Sequence, residues 1–279
     1  MTATIVALVA LACVVYPPPP AQAEPAVFHV PAGKTISQAE LMADLKPAQV
    51  IFLGEYHDNE ANHVAQYQII RTLHEAGVPL TIAVEMFRSD SQEILDKWSR
   101  DELGEGLFVK AFEQNWGDWP KYRAIFRFAR DKQVPLLGLN LDRAIVQQIE
   151  ERGFASLTPE QVGAIGALYC NVDPSYEEVV RRSLMFRGKP GAPSFIFFCE
   201  AQLVGDSFMA KQLVSYRARQ PDRTVIVLAG PTHAWKHGIP RRVTEASPIS
   251  YRVVLPEMTG RLSRANITDK ETDYLWIGL

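Results

Sequence analysis

Val50-Ile51-Phe52-Leu53-Gly54-Glu55-Tyr56-His57-Asp58-Asn59 is a short apolar run that halts at a glycine and passes at once into polar and ionisable residues. From Glu60 to about Glu75 the sequence takes on helical periodicity, with Val64, Tyr67, Ile69, Ile70 and Leu73 on one broad face. Asp58 or Asn59 supplies the N-cap, and Gly77-Val78-Pro79 ends the helix. A buried strand feeding a helix through such a turn is how α/β folds present chemistry at a sheet edge. Glu55 and His57, two residues apart, share a side in extended chain and can lean into one crevice.

The pattern recurs outward from this stretch. A second apolar run, 80–84, is closed by Glu85, and Asp90-Ser91-Gln92-Glu93 reads as the capped start of a helix to about Ser99. Residues 104–117 form an irregular or helical excursion ending in the aromatic cluster Trp116, Trp119 and Tyr122, which can line a pocket but at such spacing reads first as core. A helix over 120–132 precedes a third strand, 136–139, tipped by Asn140, and another helix runs from Asp142 to about Arg152. Three rounds of strand, polar tip and helix predict an α/β fold, its mostly parallel central sheet flanked by helices on both faces. The alternation then breaks. Thr158-Pro159-Glu160-Gln161 and Ser175-Tyr176-Glu177-Glu178 both carry helix-start signatures, so about 154–190 reads as an α-helical insertion subdomain. A long helix over 195–220, a fourth strand over 224–228 with the tip Ala229-Gly230-Pro231-Thr232-His233, and a fifth strand over 250–255 follow. Residues 274–279 read as an edge strand.

At 279 residues, 47% hydrophobic and 22% charged, the chain suits one fairly large domain with an insertion. A net charge of −3 gives no argument for nucleic acid or an anionic membrane surface. Residues 1–23 carry no charge and are mostly apolar, Pro17 to Pro20 stop any helix, and Ala21-Gln22-Ala23 fits signal-peptide cleavage. Ala10-Leu11-Ala12-Cys13 offers a competing lipoprotein site, with membrane attachment through lipidated Cys13; the usual basic n-region is missing from both readings. The expected product is exported to the cell envelope, as a periplasmic protein or a membrane-anchored lipoprotein. Residues 24–46 read as a linker and short helix, and 47–279 as the α/β domain. An oxidising envelope would permit a bond between Cys170 and Cys199, but they lie in no CxxC or Cys/His pattern and read as two separate buried thiols.

The strand tips collect Glu55, His57, Glu85, Asn140 and His233. In a parallel sheet such tips converge on one edge, where two carboxylates and two histidines can hold a divalent metal ion or act as general acid and base. A metal-dependent hydrolase, esterase or peptidase, using Glu55, His57, Glu85 and His233 is one functional expectation. The plainer alternative makes each carboxylate a helix cap or ion-pair partner and each histidine a hydrogen-bonded turn residue.

Leu53-Gly54-Glu55-Tyr56-His57-Asp58-Asn59 with His63, then Val84-Glu85-Met86-Phe87, resembles the ChaN-like haem-binding uptake family. So do Ala201-Gln202 with Asp206 and Met209-Ala210, and Ala229 to His233 with Gly238-Ile239-Pro240-Arg241-Arg242. The likeness runs from about residue 47 to the C-terminus, and the family belongs with the Tiki proteases and erythromycin esterases. It implies an envelope protein that binds haem for iron uptake, with a tyrosine on the iron and a homodimer around the cofactor. In hydrolytic relatives the residues matching Glu55, His57, Glu85 and His233 form the catalytic or metal-binding group. Pro231 and Thr232 depart from the smaller residues usual before that histidine. The haem expectation falls on Tyr169 or Tyr176, with Arg182 among the cations available for propionates and His57, His63 and His233 as further contacts; Tyr56 is another candidate. A phenolate ligand to ferric iron needs a nearby cation and an apolar wall.

Overall fold

The five residues of β3 (Val50–Gly54) are all buried, and their side chains alternate between two cores, which sets the layers. Ile51 and Leu53 pack into one core, with Ile69, Ile70 and Leu73 of α2 (Glu60–Glu75), while Val50 and Phe52 pack into another, with Met209, Ala210 and Leu213. A strand apolar on both faces belongs at the centre of a covered parallel sheet, and β3 lies there. The computed structural model describes residues 26–165, 195–257 and 263–279. Among them eight strands form one sheet: β1 (Ala26–His29), β2 (Lys34–Ile36), β3, β4 (Leu80–Arg88), β5 (Leu136–Asn140), β6 (Thr224–Ala229), β7 (Tyr251–Pro256) and β8 (Tyr274–Ile277). Their order is β2-β1-β8-β7-β3-β6-β4-β5; every pairing from β8 to β5 is parallel, and β1 is antiparallel to both β8 and β2.

The sheet is therefore the predicted mostly parallel one with helices on both faces. Its first face carries α1 (Gln38–Leu45), α2, α3 (Gln92–Ser99), α4 (Glu105–Asn115) and α5 (Trp119–Asp131). The second face carries the long helix Phe195–Arg219 and the helix Ile239–Ala246. A third cluster joins α6 (Arg143–Arg152) and α7 (Pro159–Ile165) to the long helix through Leu141, Ile149, Ile165, Ala201 and Val204. Local signals hold the helix starts. Asn59 accepts from Ala61 N–H, Asp142 from Ala144 N–H, and Thr158 and Gln161 form a reciprocal capping box.

Three expectations are corrected. The stretch read as a linker contains β1 and β2, because Val27 pairs with Trp276 and buries fully. For the same reason β8 is an inner strand, between β7 and β1. Glu85 does not close its strand but lies within β4, where the register against β5 slips between Val84 and Arg88. Such an irregularity re-aims a side chain out of the ladder. Part of the expected helical insertion, Cys170 as a partner for Cys199, and Cys13 lie outside the described residues. No helix among the described residues is long and apolar enough to cross a membrane.

Candidate functional site

The order of strands puts the end of β3 between β6 and β7, and the turns after β3 and β6 come together at the carboxyl edge. Glu55 N–H donates to the Ala229 carbonyl at 3.0 Å, tying the two tips directly. Gly54 is required by this approach: a Cβ there would stand 2.7 Å from Leu255 Cδ2. Below the turn, α2 reaches back with polar side chains. Asn62 Oδ1 accepts from Tyr56 N–H at 2.9 Å, and Gln66 Nε2 donates to the Leu53 carbonyl at 3.1 Å.

Glu55 is fully buried. Its Oε1 accepts from the Tyr122 hydroxyl at 2.6 Å and from His57 Nδ1 at 2.9 Å. His63 Nδ1 lies 3.4 Å from Oε2, a charge contact rather than a well-formed hydrogen bond, and His63 Nε2 donates to the His57 carbonyl at 3.3 Å. Burial pushes the Glu55 carboxyl up, but the His57 hydrogen bond and the contact and charge of His63 outweigh it and hold it at about 2. Burial pushes His57 down, and its hydrogen bond to Glu55 with the charges of Glu85 and Glu55 more than restores it, so the ring ends above its ordinary value. The Tyr122 phenol is raised by burial first and by the Glu55 charge second, which keeps it a donor.

The second half of the site assembles around His233, on the short helix Pro231–Ala234. Its Nδ1 donates to Asp206 Oδ1 of the long helix at 2.6 Å, and its Nε2 lies 3.7 Å from Glu85 Oε1. Glu85 Oε2 accepts from Gly230 N–H at 2.7 Å, and the Glu85 carbonyl accepts from Asn140 Nδ2 at 2.9 Å. Burial pushes the His233 ring down; the charges of Glu85 and Asp206 and the Asp206 hydrogen bond reverse this and lift it to about 9. A cleft of about 430 Å³ opens onto Glu85 and His233, walled by Trp116, Leu141, Val146 and Met209 and rimmed by Arg88 and Arg143. His57 stands beside it, edge-on to Trp116 at 4.8 Å between ring centroids.

The four expected crevice residues thus come together. No group of three or more His, Cys, Asp or Glu among the described residues is disposed to hold a metal ion. Each histidine spends Nδ1 on a carboxylate and keeps Nε2, and Glu85 spends one oxygen on a backbone N–H. His63 is corrected as a haem contact, since it is 3% exposed and both ring nitrogens face the Glu55–His57 turn. His57 and His233 belong to the carboxylate network. Tyr169, Tyr176 and Arg182 lie outside the described residues. Tyr122, read as core, is core by burial and a site residue by its hydroxyl; a buried tyrosine needs an acceptor, but which acceptor is set only by the fold. Asp206, read only as part of a motif, is the partner of His233.

Residues 41–243 match the family described as haem-binding uptake, Tiki superfamily, ChaN. The chain belongs to that family. Among solved structures, ChaN of Campylobacter jejuni with cofacial haem bound is similar at a TM-score of 0.70 and 23% identity, covering 90% of this chain and 95% of that one. The type III effector HopBA1 is similar at a TM-score of 0.50 and 15% identity, over 85% of this chain and 90% of that one. A mutant of the erythromycin esterase EreC in its open conformation follows at 0.50 and 14%, over 80% and 77%. At these identities the likenesses establish the ChaN-type α/β fold. No curated protein matches the chain.

Proposed function

We propose that this protein is an envelope haem-binding protein of the ChaN type, acting in haem and iron uptake. The observation that carries the reading is the family match over residues 41–243. The described residues fit a porphyrin in one respect. The long helix opens with Phe195, Ile196, Phe197 and Phe198, none fully buried, with Ile196 39% exposed, directly after the stretch that holds Tyr169, Tyr176 and Arg182. Bound haem supplies a ferric centre that takes a phenolate oxygen and a porphyrin face that prefers an apolar wall. In this reading Tyr169 or Tyr176 would give the phenolate, Arg182 would meet a propionate, and Ile196 would add to the apolar wall. The Campylobacter jejuni protein binds haem cofacially. In this reading a homodimer forms around the cofactor. Export after Ala23, or attachment through lipidated Cys13, places it in the envelope.

Haemin titration followed by Soret absorption, on wild type and on Tyr169→Phe and Tyr176→Phe, tests this. Saturable binding lost in one variant, with haemin-dependent dimerisation on a sizing column, is the expected result. A wild type that gives no saturable Soret change ends the reading.

A second reading is favoured by the two histidines, each anchored through Nδ1 to a carboxylate with Glu85 between them. It is acid–base hydrolysis of a small ester or peptide in the cleft. Turnover of an ester or peptide panel, abolished in His57→Ala, is its expected signature; an inert wild type removes it.

A further inference from the structure

We propose that Tyr122 and Asp206 are positioning residues of the crevice, fixing the rings of His57 and His233 so that both present Nε2 to the space around Glu85. This rests on the acid–base reading and is independent of haem. An imidazole bound to a carboxylate through Nδ1 has its proton placed there, which leaves Nε2 as the working atom. Asp206 does this for His233 at 2.6 Å from a side chain only 1% exposed. For His57 the carboxylate is Glu55, and its own orientation is held by Tyr122, whose hydroxyl lies 2.6 Å from Glu55 Oε1 and 3.4 Å from His57 Nδ1. Tyr122 is 1% exposed and comes from α5, so the first face of the sheet aims one ring; Asp206, from the long helix, lets the second face aim the other.

Two further contacts define the volume between the rings. Gly230 N–H fixes Glu85 through Oε2, which leaves Oε1 toward His233 Nε2. A methyl group on Gly230 would stand 3.1 Å from His57 Nε2 and 3.7 Å from Glu85 Oε2, so the missing side chain keeps that volume open. The cleft that reaches it carries Arg88 and Arg143 at its rim, next to the apolar Leu141 and Val146. Arg88 is already paired with Asp90 and Asp142, so the cleft matches a small carbonyl substrate with an apolar body. Packing alone accounts for the burial of Tyr122 and Asp206, but not for both Nδ1 atoms being taken by carboxylates while Glu85 faces the crevice.

Imidazole ¹⁵N and ¹H resonances of His57 and His233, recorded across pH in the full chain, test the assignment, with thermal melts as the control for folding. The wild type is expected to show Nδ1 protonated in both rings. In Asp206→Asn, which keeps the size but loses the charge, His233 binds its proton at least tenfold more weakly, and Asp206→Glu recovers part of this. In Tyr122→Phe, Glu55 is freed from a competing donor, and the His57 midpoint moves up. Variants with lowered melts but ring resonances and midpoints within a few tenths of a pH unit of wild type would show purely structural residues and overturn the proposal. A wild type inert against esters and peptides, yet with the expected ring response, removes the hydrolytic reading and leaves the positioning intact.

Discussion

The Glu55–His57 pair is local, two residues apart on one turn, while Asp206–His233 spans 27 residues and joins the long helix to the tip of β6. The local pair nevertheless depends on a distant group, since Tyr122 lies 67 residues from Glu55. The two also differ in exposure: the His57 side chain is 40% exposed and that of His233 15%, over carboxylates that are equally buried. In the first pair the carboxylate is the crowded member, with one oxygen shared by two donors. In the second the histidine is, set between two carboxylates. Proximity in sequence therefore says little about where the electrostatic strength of a site comes from.

Removing the crowded carboxylate is the most damaging way to break this comparison. Glu55→Ala leaves Tyr122 and His57 without their shared acceptor and His63 without the carboxylate beside its Nδ1, at a position where Glu55 is fully buried. Stripping one partner from a buried charged group costs about 3–5 kcal/mol, to be read from urea unfolding. A loss below about 1 kcal/mol would mean that water replaces the carboxylate and that the cluster is wetter than its burial implies.

The second effect in size is pH dependence, and here the pairs act at opposite ends of the scale. His233 is raised from about 6.5 to about 9, so its contribution is fully present below 6.5 and is lost as pH rises through 9. Glu55 is lowered from about 4.5 to about 2, so its contribution is fully present above 4.5 and is lost as pH falls through 2. At roughly 1.4 kcal/mol per pH unit of displacement, the alkaline loss is on the order of a few kcal/mol. Urea unfolding at pH 6 and pH 10 should show it in the wild type and show it diminished in Asp206→Asn. An equal alkaline loss in both would assign it to groups other than His233. Tyr122→Phe comes next, at about 1–2 kcal/mol for one lost hydrogen bond to a charged acceptor, measured the same way.

The local half of the site was legible in the sequence because apolar runs ending in carboxylates are a short-range signal. Residues 50–53, 80–84 and 224–228 gave the strands, and their tips gave Glu55, His57, Glu85 and His233. The Glu60–Glu75 helix kept its expected ends because Asn59 and Gly77 are local stops. What stayed hidden depends on contacts across the chain. Nothing near Tyr122 marks it out from Trp119, Ile125 and Phe126 on the same buried stripe of α5; only the position of Glu55, across the sheet edge, turns its hydroxyl into a site atom. β1 and β2 were missed because strands of four and three residues carry little periodicity, and β1, which holds β2, is itself paired to β8, almost 250 residues later in the chain. Glu85 was placed at a strand end because the register slip that turns it outward depends on β5 rather than on its own neighbours.

The smallest expected effect on stability is also the most direct probe of how the two halves meet. Gly230 adopts φ −55° and ψ 153°, a conformation open to any residue, so Gly230→Ala carries no backbone penalty. Its new methyl would stand 3.1 Å from His57 Nε2, and the half-exposed His57 ring can give way where a packed side chain cannot. The expected loss is below about 1 kcal/mol, at the mild end of overpacking. The consequence for the crevice is larger. His57 packs edge-on against Trp116, so a ring pushed away from Gly230 must move against that indole, and tryptophan fluorescence should change although stability hardly does. His233, held by Asp206 and Glu85 rather than by space beside Gly230, should keep its ring resonances. A variant that shifts both histidines equally would show that the halves form one mechanically coupled unit, while a response confined to His57 and Trp116 would show two separately anchored rings that share only the volume between them.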